Sequence, residues 1–193
     1  MFKKNSVMDM DKTIFSNLMS STDFYMKCLI FSDSHGSPYT MMKALSLHKD
    51  AEVVFFLGDG LSDLDSVEYS ESQLSAPCRM WLSVRGNCDF SGVFRGLPVQ
   101  KTEEITLLGR KIVLTHGDLY GVKQGTEGVC RLALEREADI VLFGHTHMPH
   151  EEYCPGEKPF YLFNPGSSAP PSYSFGILTL DSKCVLLSHG KIF

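Results

Sequence analysis

Five apolar runs in this chain end in residues of one chemical kind. "CLIFSDSH" ends with Asp33 and His35, "VVFFLGD" with Asp59, and "WLSVRGN" with Asn87. "IVLTHGD" carries His116, and "IVLFGHTH" ends with His145 and His147. Carboxylate, imidazole and one amide oxygen suit Mn²⁺, Zn²⁺, Fe or Ni²⁺ and fit a purely soft-metal site poorly. They are too many for one ordinary site and enough for two sites that share a carboxylate. Paired metals about 3.5–4 Å apart are a standard device for hydrolysing phosphate esters.

Each motif alone has an ordinary reading as turn chemistry at a strand end. Their joint occurrence, each after a buried run, is what points to a site. The Asp33/His35 and His145/His147 pairs have i, i+2 spacing, which in extended backbone puts both members on one side. Gly36, Gly58, Gly60, Gly86, Gly117 and Gly144 lie beside these residues and permit sharp turns. Cys88, inside "RGNCDF", is open to several readings: ligand, nucleophile, stand-in for a missing acid, or bystander.

The elements that must position these residues alternate. "KCLIFSD" reads as a strand. "SPYTMMKALSLHKD" reads as a helix, with Ser37 as N-cap and Pro38 in the first helical position. "EVVFFLG" and "RMWLSVRG" are further strands, separated by a polar, helical or loop segment over 61–76. This βαβαβ order predicts a largely parallel sheet, and the carboxyl ends of such strands are where sites form. "KTEEITLLGRKIVLTHG" predicts two strands around a Gly-Arg turn, "EGVCRLALEREAD" a helix, and "DIVLFGHTH" a buried strand. The last third, "HEEYC", "PFYLFN", "SYSFGILTLD" and "KCVLLSH", is strand-rich with Pro/Gly turns. A mixed layer first and an antiparallel layer last, packed face to face with helices outside, would bury all of this.

Composition sets limits. The 193 residues fit one domain, and a formal net charge of -5 argues against a general nucleic-acid-binding surface. The 6 cysteines are scattered with no C-x-x-C pair, which predicts reduced thiols and a cytoplasmic protein. The longest apolar runs are strand-sized, far short of the roughly 20 residues of a membrane helix. Residues 1–25 are polar and Met/Ser-rich, with a short helix expected around "MDKTIFSNLM", and carry no chemistry. The domain is expected over 26–193, where the chain restarts at Met26.

The motif set "DSH", "GD", "GNCD", "THGD" and "GHTH" resembles that of the calcineurin-like metallophosphoesterases. Their usual pattern is D-x-H, G-D, G-N-H-D/E, H and G-H-x-H. The short chain, the Cys in place of the third motif's His, and "FNPGS" at 163–167 are most similar to the small YfcE-type phosphodiesterases. The resemblance implies an α/β fold, an αββα sandwich of two mixed sheets flanked by helices. It implies two divalent ions, Mn²⁺ by first choice, with Zn²⁺, Ni²⁺ or Fe as alternatives. One metal would be held by Asp33, His35, Asp59 and His147, the other by Asp59, Asn87, His116 and His145. Asp59 would bridge, and Asp59, Asn87 and His116 would be the catalytic set around an attacking metal-bridging hydroxide.

The expected activity is hydrolysis of small phosphodiesters. The alternatives are a phosphomonoesterase or nucleotide phosphatase, or a non-catalytic scaffold like the retromer subunit of this fold. The expected partner is a small phosphoester, with no stable nucleic-acid or membrane binding. Homodimers are common among such small enzymes, and no interface is legible. "NPGS" is read as a rigid turn near the site. Asp89 and Asp118 are candidates to orient ligands, His150 is a rim candidate, and His48 and His189 match no family position. Arg85 and Arg95 are read as salt-bridge formers before phosphate-steering groups, and Trp81 as core. Cys88 sits where the family's histidine protonates the leaving group, and a free thiol is a poorer acid than imidazolium near neutrality.

Overall fold

The computed structural model describes residues 25–73 and 78–193. The helix expected around "MDKTIFSNLM" lies outside the described residues. One five-stranded sheet holds β1 (Met26–Phe31), β2 (Val53–Phe56), β3 (Met80–Ser83), β11 (Ser174–Leu180) and β12 (Val185–Lys191), in the order β12-β11-β1-β2-β3. The second holds β6 (Thr102–Leu107), β7 (Arg110–Thr115), β8 (Ile140–Leu142), β9 (Pro149–Cys154) and β10 (Phe160–Pro165), in the order β6-β7-β8-β10-β9. A small hairpin of β4 (Val93–Phe94) and β5 (Leu97–Pro98) stands apart.

The apolar strands are buried on both faces, which explains their unbroken hydrophobic runs. In β1 and β2, Cys28, Ile30, Val53 and Phe55 point into the inter-sheet core, where they join Ile112, Leu114, Ile140, Leu142 and Phe163. Their alternates Leu29, Phe31, Val54 and Phe56 face the helices α1 (Tyr39–Leu47) and α2 (Leu61–Gln73), through Met41, Ala44, Leu45, Leu61, Leu64 and Val67. On the other outer face, Val113, Val141 and Leu162 pack on Val129, Leu132 and Ala133 of α3 (Glu127–Glu135). The result is the expected αββα sandwich with two mixed sheets.

Two details differ from the sequence reading. The late strands do not form an antiparallel layer of their own. β9 and β10 join β8 in the second sheet, while β11 returns to pair antiparallel with β1 and carries β12 with it. Local alternation is the same in either sheet, so it does not say which sheet a hairpin joins. Ser37 is also not the cap of α1. Pro38 occupies that position, and its carbonyl accepts from Met42 N at 3.0 Å.

β1, β2 and β3 are mutually parallel, as are β7 and β8. Their carboxyl ends therefore gather the loops that carry Asp33, Asp59, Asn87, His116 and His145 at one edge of the sandwich.

Candidate metal centre

The ligand pairs converge by a different route from the expected one. Asp33, His35, Asp59, His145 and His147 all adopt positive φ, between 45° and 68°. This left-handed region is costly for residues with a Cβ and persists where surrounding contacts over-determine it. The i, i+2 pairs thus meet through tight turns beyond the strands, not through extended backbone. The loops are laced together: Asp33 N donates to Gly58 O at 2.9 Å, His35 N to Asp59 O at 3.1 Å, and Gly144 N to His116 O at 3.0 Å. Glycine is required where two of them touch. A Cβ on Gly58 would stand 2.4 Å from Gly86 N, and one on Gly86 would stand 1.9 Å from Asp59 Oδ1.

Ligand atoms cluster in three overlapping groups: Asp33, His35 and His147; Asp59, His116 and His145; and His35, Asp59 and Cys88. His35 Nε2 and His147 Nε2 are 3.2 Å apart, and His116 Nε2 and His145 Nδ1 3.1 Å. Asp33 Oδ1 lies 3.2 Å from His147 Nε2, 3.8 Å from His35 Nε2 and 4.0 Å from His116 Nε2. Asp59 Oδ2 lies 3.3 Å from His116 Nε2 and 4.0 Å from His35 Nε2. Asp33 Oδ2 accepts from Ser32 Oγ at 2.6 Å and His145 N at 3.0 Å, whereas Oδ1 is buried and makes no hydrogen bond. A buried carboxylate oxygen without a donor is expensive, and a divalent cation resolves it. The donor set therefore fits a binuclear metal site.

Supporting residues hold the ligands in place. Asp89 accepts four backbone N–H groups, from Asp59, Gly60, Leu61 and Gly86, at 2.8–2.9 Å, which clamps the loops after β2 and β3 together. Asp63 does the same for the first loop, accepting from Ser34 Oγ at 2.6 Å and Gly36 N at 2.9 Å. The "NPGS" turn does more than turn: Asn164 Nδ2 donates to Gly144 O and Thr146 Oγ1, and Ser167 Oγ donates to Asp33 O at 2.8 Å. Lys101 Nζ bridges Gly86 O and Asp118 Oδ2. Ser32 and Asp63 are single polar residues with no readable spacing signal, whereas Asn164 and Ser167 lie in the turn expected near the site and add hydrogen bonds that the motif does not announce.

Electrostatics couple the ligands. Burial works against the charge on Asp59, but His116 and the Cys88 N–H, which donates to Oδ1 at 2.7 Å, outweigh it and hold the carboxyl well below the usual range. Burial likewise opposes protonation of His116, yet the carboxylates of Asp59 and Asp33 raise its pKa. The Asp33 carboxylate raises His147, whereas burial and His116 lower His145. His116 Nδ1 sits 2.8 Å from Leu57 O, so the neutral tautomer donates there and leaves Nε2 free as a donor to a metal.

Among known proteins, a family model described as the calcineurin-like phosphoesterase superfamily domain matches residues 26–183. The chain belongs to the calcineurin-like phosphoesterase superfamily. A probable metallophosphoesterase of Bacillus subtilis, YsnB, is 35% identical over 162 residues, covering 81% of this chain and 86% of that one. The phosphodiesterase YfcE of Escherichia coli is 29% identical over 178 residues, covering 83% and 91%. Vacuolar Protein Sorting 29 from Cryptosporidium parvum shares the fold, with a TM-score of 0.66 at 18% identity, covering 88% and 100%. This metallophosphoesterase chain thus carries the fold of its superfamily together with a candidate binuclear centre.

The remaining candidates fall as follows. Asn87 is exposed in the loop after β3, and its side-chain amide donates to Cys88 Sγ at 3.2 Å. Arg95 is ion-paired with Glu68, and His150 Nε2 lies 3.1 Å from Glu152 Oε2. His189 stacks on Phe163 and its Nε2 is 2.8 Å from Asn164 O, while His48 packs edge-on to Phe175. Trp81 is partly buried against the helix-side core. No helix among the described residues is long and apolar enough to cross a membrane.

Proposed function

We propose that this metallophosphoesterase hydrolyses small phosphodiesters in the cytoplasm, with Mn²⁺ as its working metal. The observation that carries the reading is Asp33 Oδ1, buried without a hydrogen bond among three histidine ring nitrogens. Two divalent cations, when bound, polarise the phosphoryl group and supply a deprotonated water at neutral pH. Asp33, His35 and His147 would hold one, and His116 and His145 the other, with Asn87 as the further ligand that the resemblance implies. Asp59 would serve both, because its Oδ2 faces both His35 and His116. The Cys88 N–H and His116 keep the Asp59 carboxylate ionised, so it would offset the repulsion of two cations. Six free thiols support a reducing compartment.

The diester choice is supported by the Escherichia coli relative, a phosphodiesterase. The test is a metal-reconstituted screen of mono- and diesters, cyclic nucleotides included. Diester turnover with Mn²⁺ is expected to exceed monoester turnover. No turnover with any bound divalent metal would leave the scaffold reading in its place.

A further inference from the structure

We propose that a groove beside the metal centre receives the aromatic ester arm that the substrate retains, not its leaving group, a reading that rests on the proposed phosphodiesterase activity. The groove, of about 620 Å³, is lined by Ser37, Tyr39, Pro170, Pro171, Tyr173 and Lys191. That is the size of a small-molecule site.

Topology sets it against the centre. β11 runs antiparallel to β1, so its start lies at the end of β1 that leads to Asp33; Ile30 pairs with Gly176, and Ser174 pairs with Lys191 of β12. Lys191 therefore stands two strand spacings from β1, about 10 Å. Ser37 follows His35 by two residues, so the groove's rim lies within about 7 Å of a candidate ligand along the chain. The walls are tied to one another and to the site. Thr40 Oγ1 donates to Ser168 O at 2.6 Å, Tyr173 N to Ala169 O at 3.0 Å, and Ile192 N to Tyr173 O at 3.0 Å. Ser167, in the same turn, bonds the Asp33 carbonyl.

The lining chemistry selects the occupant. Tyr39 is 53% exposed, and its ring meets that of Tyr173 edge-on at 6.5 Å. Two such rings beside paired prolines offer flat apolar walls to a planar group, and aromatic pairs prefer offset or edge-on geometry. Lys191 Nζ lies 5.9 Å from the centroid of the Phe193 ring, a further wall of the groove, so a cation and an aromatic face already meet there. A methyl or other small alkyl arm would leave these walls wet.

Calorimetry on Mn²⁺-loaded protein with phenylphosphonate and methylphosphonate tests the groove independently of turnover. Phenylphosphonate is expected to bind tighter. Tyr39→Ala should weaken it by about 2- to 10-fold and leave methylphosphonate unchanged, and Tyr39→Phe should retain the preference. Alanine is a strong helix former and Tyr39 is exposed at the start of α1, so the variant keeps the fold. Kinetics supply the second arm. Bis(para-nitrophenyl) phosphate and methyl para-nitrophenyl phosphate share a leaving group, and Tyr39→Ala should raise KM for the first alone. Equal affinity for the two phosphonates, or equal losses in Tyr39→Ala, would overturn the proposal. Tyr39-dependent phosphonate binding without cleavage of either ester would support the groove and refute the hydrolase reading instead.

Discussion

Asp89 shows how much a residue outside the ligand set can carry. Its carboxylate gathers four N–H groups from two loops, so it sets where Asp59 and Asn87 stand relative to each other. Asp89→Ala is expected to lower metal affinity by about 10- to 100-fold with little change in overall fold, read by metal titration and circular dichroism. Cys88 is the opposite case. Its backbone N–H donates to Asp59 Oδ1, a bond that no side-chain substitution removes, and its thiol faces the same carboxylate. Partial burial and the Asp59 carboxylate push its thiol pKa up, which makes it a still weaker acid for the leaving group. Cys88→Ala should therefore cost less than a few-fold in kcat on aryl diesters, and wild type should show a steep dependence of rate on leaving-group pKa. Collapse of aryl-diester hydrolysis in Cys88→Ala, with metals still bound, would assign the thiol a chemical role.

At the scale of elements, the strands that point ligands at the centre are held by the inter-sheet core. Phe55 is fully buried there, four residues before Asp59. Phe55→Ala is expected to cost about 3–5 kcal/mol, measured by urea denaturation. Loss of activity should follow unfolding and not precede it. Much of this layer was legible in the sequence, because "CLIF", "VVFF" and "IVLF" are unbroken apolar runs that end in ligand-type residues. The sheet membership of β9 to β12 was not, since an antiparallel hairpin has the same alternation wherever it docks. The left-handed turns at Asp33, His35, Asp59, His145 and His147 were also hidden. Glycine is the clearest sign of such backbone in a sequence; Asp and His adopt it more often than other residues, but too rarely for it to be read from their presence. Asp89 could be guessed from its place in "GNCD", but its four partners are set by tertiary contact. The clamp made by Asn164 likewise depends on a loop twenty residues away.

For the molecule as a whole, metal binding and stability are linked. Removing the metals is expected to leave the sandwich core intact and to return Asp33 and Asp59 to a buried site without compensating cations. Mn²⁺ at 100 times its dissociation constant should add about 2.7 kcal/mol per site, which for a chain of this size raises Tm by roughly 5–10 °C. Protons compete for the same nitrogens. His116 and His147 have raised pKa values, so they hold protons at higher pH than an ordinary histidine, and metal affinity should fall as pH drops toward and through about 6.5. The Mn²⁺-induced rise in Tm is thus expected to be larger at pH 8 than at pH 6, by thermal scans with and without metal. An equal rise at both values would remove histidine from the ligand set.

Asp59 stands where it would join two metals into one hydrolytic centre. Titrating Mn²⁺ into chelator-stripped wild type and Asp59→Asn, while bound metal and bis(para-nitrophenyl) phosphate hydrolysis are followed together, decides whether it does. Wild type should bind two ions and gain its activity as the second is taken up, whereas Asp59→Asn should bind both weakly and hydrolyse nothing measurable. Near-full activity in Asp59→Asn with two metals bound, or two metals in wild type without turnover, would show that Asp59 has no such role.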